Sequence, residues 1–261
     1  MELLLRLYTN QFLVYVLVLT RVSGLMVLAP VWGSSVIPLR VRALLAIGVS
    51  LVISPLLWNT PIEDPGNVLH LLVLVGCEFA VGLSLGLAVY IYFAGLELAG
   101  QLMGQMSGMS LADVVSPTYD TTVPVFSEFL NVLMLSVFVV MGGHQYLLDA
   151  LLQAFQQMPP GQTHFSASLV DALTSITTFS FTMGLQIAAP IMVALLLSIV
   201  IMGLISRTLP QLNILAVGFS VNSTVMLGAL LLSLGLLTRV FHEQSFAVID
   251  LIRPVFTRPS P

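Results

Sequence analysis

The sequence predicts an all-α protein of a membrane or a membrane complex, and three observations support this fold class. Of the 261 residues, 57% are hydrophobic and only 8% are charged, and the mean hydropathy is +1.03. A soluble domain carries roughly 25% charged residues, so this chain lacks the charge to cover a water-facing surface. Several apolar runs approach the roughly 20 residues that span a bilayer as a helix. No series of alternating polar and apolar residues indicates strands, so a β-barrel is not expected.

The apolar runs predict about six hydrophobic helices and two weaker amphipathic helices. The hydrophobic segments are residues 12–29, 41–57, 68–95, 129–141, 187–205 and 212–237, and the amphipathic ones are 145–157 and 168–179. Breaks rich in Pro, Gly and Asn are expected at 30–38, 59–67, 100–124, 158–164 and 206–213. None of these breaks is long enough to separate two domains, so residues 1–261 are predicted to form one domain. Because Glu2 and Arg6 precede the first apolar run and Arg21 interrupts it, we expect an uncleaved first helix rather than a signal peptide.

The charged residues are distributed unevenly along the chain. All eight basic residues are arginines, and none lies between Arg42 and Arg207. Basic loops normally set the orientation of membrane proteins, so the middle of this chain carries little orientation signal. Either the first helix alone sets the topology, or partner subunits rather than lipid and loops surround much of this stretch. The net charge of −4 with no basic stripe argues against nucleic-acid binding, and the single Cys77 excludes an intrachain disulfide.

Two charged side chains, Arg21 and Glu78, lie within apolar helical segments. Each costs about 2.5–3.5 kcal/mol on insertion scales when it lies at the centre of a membrane helix. A pair between them is the simplest way to lower this cost. The functional alternative is a proton or ion relay, which usually needs more than one carboxylate in line. We therefore expect Glu78→Gln to impair assembly more than transport.

Motifs typical of enzymes are weak. Residues 82–86 (GLSLG) match the G-x-S-x-G pattern of a nucleophile elbow around Ser84, but that motif requires a sharp strand-to-helix turn. Inside an apolar helix, Gly82 and Gly86 are more typical of a G-x-x-x-G packing face. The four histidines are isolated from one another: His70, His144, His164 and His242. The sequence therefore predicts no catalytic, cofactor-binding or metal site.

The segment 100–124 (GQLMGQMSGMSLADVVSPTYDTTVP) combines small, flexible and helix-breaking residues. Glycines recur every four residues and methionines every three, so a helix would place them on roughly opposite faces. The residues concerned are Gly100, Gly104 and Gly108, Met103, Met106 and Met109, with Gln101, Gln105, Pro117 and Pro124 between or after them. A Met-lined, Gly-hinged loop beside a membrane path is suited to a soft seal. A tightly packed re-entrant hairpin with Met as core filler explains the pattern equally well.

Short motifs follow one another in a fixed order along the chain. They are Thr20-Arg21, Ala29-Pro30, Ile37-Pro38-Leu39-Arg40-Val41-Arg42, Ser54-Pro55, Gly100-Gln101, Gly108-Met109-Ser110, Pro117, Val123-Pro124, Gly143-His144, Phe155, Pro159-Pro160-Gly161, Ser206-Arg207 and Leu209-Pro210-Gln211-Leu212-Asn213. In this order and spacing the chain resembles the FliR family of flagellar type III export-gate proteins over essentially all of its length. The virulence type III secretion homologues share the pattern more loosely. The Met enrichment of the central segment is the main departure.

The resemblance implies a non-enzymatic subunit of a protein-conducting export gate that uses no cofactor. Family members form a helical hetero-oligomer of helical hairpins with FliP-like and FliQ-like membrane proteins, and they also meet an FlhB-like protein. The cargo would be unfolded flagellar subunits, and the location would be the bacterial inner membrane within the flagellar basal body, with much of the chain on the periplasmic side and in contact with lipid. The family's central loop helps plug the pore, which assigns that role to residues 100–124.

By this resemblance, Arg207, Pro210 and Gln211 would form a tight helical-hairpin turn with a structural role.

Three alternative functions remain open. One is a subunit of a virulence secretion gate. Another is a small-solute transporter that would use Glu78, Glu97 and broken helices near Pro190 as a binding site. The most remote is an intramembrane hydrolase built on Ser84.

Overall fold

The computed structural model describes residues 2–33, 37–60, 62, 66–108, 125–163, 168–209 and 214–252. The α-helices of this part are α1 (Glu2–Leu28), α2 (Leu39–Ile53), α3 (Val68–Met106), α4 (Val125–Val140), α5 (Gly143–Gln157), α6 (Ser168–Thr208) and α7 (Ile214–Ile252). A short 3₁₀ helix, Ser54–Leu57, continues α2. The described residues contain no strand, and the predicted all-α fold class is confirmed.

Four helices are markedly longer than the sequence pattern predicted, and the first of them, α1, begins at Glu2 rather than at residue 12. Helix α3 has 39 residues and runs through Gly100 to Met106, so the prediction of a break beginning at residue 100 was wrong. Helix α6 has 41 residues and joins the two segments predicted at 168–179 and 187–205, passing through Pro190. A proline within an apolar helix removes one backbone donor, but neighbouring groups in a membrane protein satisfy the freed carbonyl. Helix α7 continues to Ile252 instead of ending near residue 237.

Five stretches of the described chain are long and apolar enough to cross a membrane: Tyr8–Leu28, Leu39–Leu57, Val68–Met106, Leu169–Thr208 and Val217–Ile252. A sixth is possible if α4 and α5 act as one broken span, because they are bent by 66° at Met141 and Gly142. The uneven helix lengths expected from the sequence are therefore present. Together these helices are those of an integral membrane protein.

The chain forms two compact units. The first comprises Met1–Ile91, Gly142–Ile176 and Ser245–Pro261, and the second comprises Tyr92–Met141 and Thr177–Gln244. Helices α3, α6 and α7 each contribute residues to both units. Each unit therefore contains parts of the chain that are far apart in sequence.

In the first unit, α1 and α3 cross with their backbones in close contact. A Cβ atom added to Gly82 would overlap the backbone carbonyl of Arg21, and one added to Gly86 would lie 2.8 Å from the carbonyl oxygen of Leu25. On the α1 side, a Cβ at Gly24 would lie 2.9 Å from the backbone nitrogen of Leu83. Only glycine permits this approach, so the packing interpretation of the G-x-x-x-G motif is confirmed.

Candidate functional site

A buried ion pair lies beside this glycine crossing. Nε of Arg21 donates to Oε2 of Glu78 at 2.6 Å, and both side chains are 0% exposed. The predicted pairing is thus observed. Because the two backbones approach closely at Gly82, one helical turn beyond Glu78, the charged groups meet across a short gap. A fully desolvated charge pair of this kind holds α1 and α3 in one register.

Arg21 also binds the C-terminal end of α5. Its Nη1 donates to the carbonyl oxygens of Ala154 at 3.2 Å and Met158 at 3.0 Å. The carbonyl of Ala154 also accepts from the backbone nitrogen of Met158, and a cation at a helix C-terminus interacts favourably with the helix dipole. The guanidinium carbon lies 4.3 Å from the ring centroid of Phe155, a cation–π contact with the same helix end. Arg21 therefore joins three helices rather than two.

Glu78 completes the network through the turn that follows α5. Its Oε1 accepts a hydrogen bond from the backbone nitrogen of Gly161 at 2.9 Å. Gly161 has a φ of +84°, a conformation that favours glycine and that places this N–H toward the carboxylate. The Pro159-Pro160-Gly161 motif identified in the sequence is thus the turn that the carboxylate binds. Both carboxylate oxygens of Glu78 have a donor.

The network of Arg21 and Glu78 is suited to holding α1, α3 and α5 together and not to proton transfer. In the described part of the chain, Glu78 hydrogen-bonds to Arg21 and Gly161, and no second carboxylate joins it. The one buried atom of the pair that has no hydrogen-bond partner is Nη2 of Arg21, which can only donate. A relay needs a succession of groups that gain and lose protons. These contacts favour the structural interpretation of Arg21 and Glu78 over a relay.

The central segment begins as the last turns of α3 in the second unit. A Cβ at Gly100 would lie 2.5 Å from Cα of Ser127 on α4, so Gly100 permits close packing of these helices. Oγ of Ser127 donates to the carbonyl oxygen of Glu97 at 3.1 Å across the same contact. Met103 is 1% exposed and Gly104 is buried. Met103 therefore fills the core, as the alternative interpretation of this segment as a packed hairpin expects.

Helix α3 ends in a tight turn at Gly108. The backbone nitrogen of Ser107 donates to the carbonyl of Met103 at 3.0 Å, and that of Gly108 donates to the carbonyl of Gln105 at 3.1 Å. Gly108 has a φ of +82°, as is common for the residue that ends a helix. Met106 and Gln101 are half-buried, and Gln105 is exposed. The other candidates, Met109, Pro117 and Pro124, lie outside the described residues.

The hairpin-turn signature and Ser84 are the remaining residues that the sequence singles out. Arg207 is exposed in the last turn of α6, where a cation interacts favourably with the helix dipole, while Pro210 and Gln211 lie outside the described residues. Ser84 is buried within α3, and its Oγ donates to the carbonyl of Val81 at 2.7 Å, so no nucleophile elbow forms there. Among the described residues, no group of three or more His, Cys, Asp or Glu side chains is placed to hold a metal ion.

An aromatic cluster in the second unit was not predicted from the sequence. Tyr92 and Phe93 on α3 pack with Phe138 on α4 and Phe241 on α7, with ring centroids 5.2–5.7 Å apart between helices. Oη of Tyr92 donates to the carbonyl oxygen of Phe241 at 3.0 Å. The adjacent Tyr92 and Phe93 are visible in the sequence, but no local pattern connects them to aromatic residues so far along the chain.

Known proteins are similar to this chain over most of its length. A model of the family described as bacterial export proteins, family 1, matches residues 12–247. The flagellar biosynthetic protein FliR of Escherichia coli K12 is 31% identical over 88% of this chain and 87% of its own. The FliR proteins of Pectobacterium carotovorum and Bacillus subtilis 168 are 31% and 26% identical, over 92% and 93% of this chain and 91% and 94% of their own. The similarity therefore extends over nearly the whole length of these relatives.

Proposed function

The chain belongs to family 1 of the bacterial export proteins, and from this premise we propose that it is a core membrane subunit of the flagellar type III protein-export gate. The observation that carries the proposal is the similarity to flagellar FliR proteins over about nine-tenths of both chains. The five helices long enough to cross a membrane fit this role. Because these relatives are named for flagellar biosynthesis, we favour a flagellar over a virulence secretion gate.

We propose that the subunit forms part of a channel and catalyses no covalent chemistry. Its buried charged groups bind one another and backbone atoms, as Arg21 and Glu78 do, so they are occupied structurally. Ser84 is likewise hydrogen-bonded within its own helix. Of the residues that the sequence offered for transport or hydrolysis, Glu78 and Ser84 therefore have packing roles, whereas Glu97 is exposed.

The proposed partners are FliP-like and FliQ-like membrane proteins in a hetero-oligomer, together with an FlhB-like protein. Large apolar side chains on the outside of α6 and α7 support an extensive interface with other helices or lipid: Val200 is 52% exposed, Leu231 68% and Leu232 90%. The cation-free stretch between Arg42 and Arg207 supports a location where few loops meet the cytoplasm. We accordingly propose that the subunit lies in the inner membrane, largely on its periplasmic side, as one functional domain that passes unfolded flagellar proteins.

We further propose that residues 100–124 contribute to the seal of the closed gate. The buried Met103 and the packing of Gly100 on Ser127 anchor the first part of this segment in the second unit. In this proposal the half-buried Met106 contributes an adaptable apolar side chain to the seal, together with Met109 of the same segment. An apolar constriction excludes ions by dewetting and conforms to a passing chain.

Methionine replacement tests the seal. We expect the triple variant Met103→Ala, Met106→Ala, Met109→Ala to raise ion leakage in resting cells. Because Met103 is buried, its truncation alone costs about 2–5 kcal/mol of stability. The variant with only Met106→Ala and Met109→Ala separates sealing from packing, and the corresponding Leu variants are the matched control. Unchanged conductance in an assembled double Ala variant would remove this role.

The gate assignment is tested by native mass spectrometry. The full chain is co-expressed with FliP-like and FliQ-like proteins, purified in mild detergent and weighed intact. We expect a discrete hetero-oligomer that contains one copy of this chain. A stable monomer or homodimer with no retained partner would contradict the assignment and favour the transporter alternative.

A further inference from the structure

Helices α2 and α5 of the first unit enclose an apolar groove. It has a volume of about 420 Å³ and is lined by Leu44, Gly48 and Val52 of α2 and by Leu148 and Leu152 of α5, among others. This volume lies within the roughly 300–1,000 Å³ typical of ligand sites. The lining residues are all apolar, so the groove offers a ligand neither a charge nor a side-chain hydrogen bond.

Glycine at position 48 keeps the groove open. A Cβ added to Gly48 would meet no atom within 4 Å, so the backbone does not need glycine for close packing there. Leu44 and Val52, one turn before and one turn after it, are 67% and 75% exposed. Residues four apart lie on the same face of a helix, so these three positions form a continuous apolar strip along the outside of α2. The groove therefore follows the helix axis.

The positively charged side chain of Arg40 belongs to one end of this apolar strip. Arg40 is exposed and precedes Leu44 by four residues, so it lies on the same face one turn nearer the start of α2. The first turn of α2 contains no acidic residue, and its cap Pro38 supplies no side-chain hydrogen bond. The positive end of the helix dipole adds to the charge of Arg40. On α5, Asp149 is exposed and follows Leu148 by one residue, which turns it about 100° away from the groove-lining face.

We propose that this groove binds one acyl chain of an anionic phospholipid whose phosphate group pairs with Arg40. The guanidinium fork is suited to two oxygens of a phosphate, and the apolar strip beyond it is suited to a hydrocarbon chain. A flexible acyl chain follows such a groove along its length, whereas a partner helix would lie over it. The proposal is independent of the export function.

The groove is tested by counting retained lipids. The full chain is reconstituted in nanodiscs of equal amounts of phosphatidylcholine and phosphatidylglycerol, released into mild detergent and measured by native mass spectrometry. We expect a phosphatidylglycerol adduct on the unmodified chain, reduced about tenfold or more by Gly48→Leu because leucine fills the groove. The matched control Gly76→Leu also adds a side chain in open space, on α3, and should retain the adduct. An equal adduct in Gly48→Leu, or none on the unmodified chain, overturns the proposal.

The headgroup contact is tested separately at Arg40. Loss of a charged hydrogen bond should lower retention in Arg40→Gln about tenfold, whereas Arg40→Lys should retain most of it. Arg239→Gln is the control, because Arg239 is also exposed but lies on α7. Equal retention of phosphatidylcholine and phosphatidylglycerol by the unmodified chain overturns the proposed anionic lipid, because both lipids carry a phosphate and only phosphatidylglycerol has a net negative charge. If Gly48→Leu lowers the yield of the assembled complex without changing lipid retention, a partner helix covers the groove and the proposal fails.

Discussion

The two units of this protein use α3 in the same way for packing but differ in what surrounds the crossing. In the first unit, Gly82 lets α3 approach α1, and the neighbouring space holds the ion pair of Arg21 and Glu78. In the second, a Cβ at Gly95 would overlap the backbone of Ser180 on α6, and the neighbouring space holds the aromatic cluster around Tyr92. Close backbone contact is common to both units, whereas the groups beside it are ionic in one and aromatic in the other.

The difference concerns how narrowly each region specifies its partners. The ion pair has directional bonds to the end of α5 and to Gly161, so moving these elements apart would leave more buried charged atoms without partners. The aromatic cluster depends mainly on shape and area. Its interhelical polar contacts are the hydrogen bonds from Oη of Tyr92 to the carbonyl of Phe241 and from Oγ of Ser180 to the carbonyl of Tyr92. The first region should therefore respond sharply to a single change and the second gradually. Three substitutions test this comparison.

The largest effect is expected from Glu78→Gln. It leaves the guanidinium of Arg21 buried without its counter-charge, and removing one partner of a buried pair costs about 3–5 kcal/mol. The yield of the assembled complex and its thermal stability should fall, while export per assembled complex is retained. The double variant Arg21→Met, Glu78→Met should recover much of the loss, because it removes both charges. Normal assembly of Glu78→Gln with abolished export would instead indicate a relay.

A smaller effect is expected from Phe138→Leu in the aromatic cluster. Leucine keeps much of the apolar volume and leaves no polar group without a partner, so the cost should be about 1 kcal/mol, measured as a shift in the denaturation midpoint. Phe129→Leu on the same helix is the matched control, since Phe129 is 47% exposed and should change stability little. A loss as large as that of Glu78→Gln would show that the aromatic region specifies its partners equally narrowly.

The smallest effect is expected from Arg239→Gln. Nε of Arg239 lies 2.9 Å from Oε1 of Glu243 one turn later, but the two side chains are 78% and 62% exposed. Exposed pairs of this spacing contribute about 0.3–0.5 kcal/mol. Thermal unfolding should therefore be unchanged within error at moderate salt. A marked destabilisation would mean that burial is not what gives the Arg21 pair its importance.

Part of the candidate site could be predicted from the sequence. Arg21 and Glu78 stand out because an apolar helix makes any unpaired charge costly, and pairing them was the simplest solution. Gly82 and Gly86 were identified as a packing face by their spacing. The bonds from Arg21 to Ala154 and Met158 could not be predicted, because they join a side chain to backbone groups more than a hundred residues away. Which helix end meets which side chain depends on the path of the chain.

Other predictions, which concerned where helices end, were wrong because the helix continued through a local helix-breaking signal. The gap between the segments predicted at 168–179 and 187–205 and the glycines from Gly100 onward suggested breaks, yet α6 is continuous and α3 continues to Met106. Long apolar stretches on both sides keep the backbone hydrogen-bonded within the helix, and this outweighs a single weak helix former. The role of the residues after Gly108 in the proposed seal remains a prediction.

The sequence alone determined that this is an all-α membrane protein, that its two intramembrane charges should pair and that glycines mark close helix contacts. These conclusions depend on the free energy of transferring side chains from water into the membrane and on helical periodicity. Both are properties of each segment by itself. The tertiary structure decided that Gly82 faces Arg21, that Gly95 faces Ser180 and that Arg21 binds the end of α5. Such contacts depend on which segments the chain brings together, and neither composition nor period carries that information.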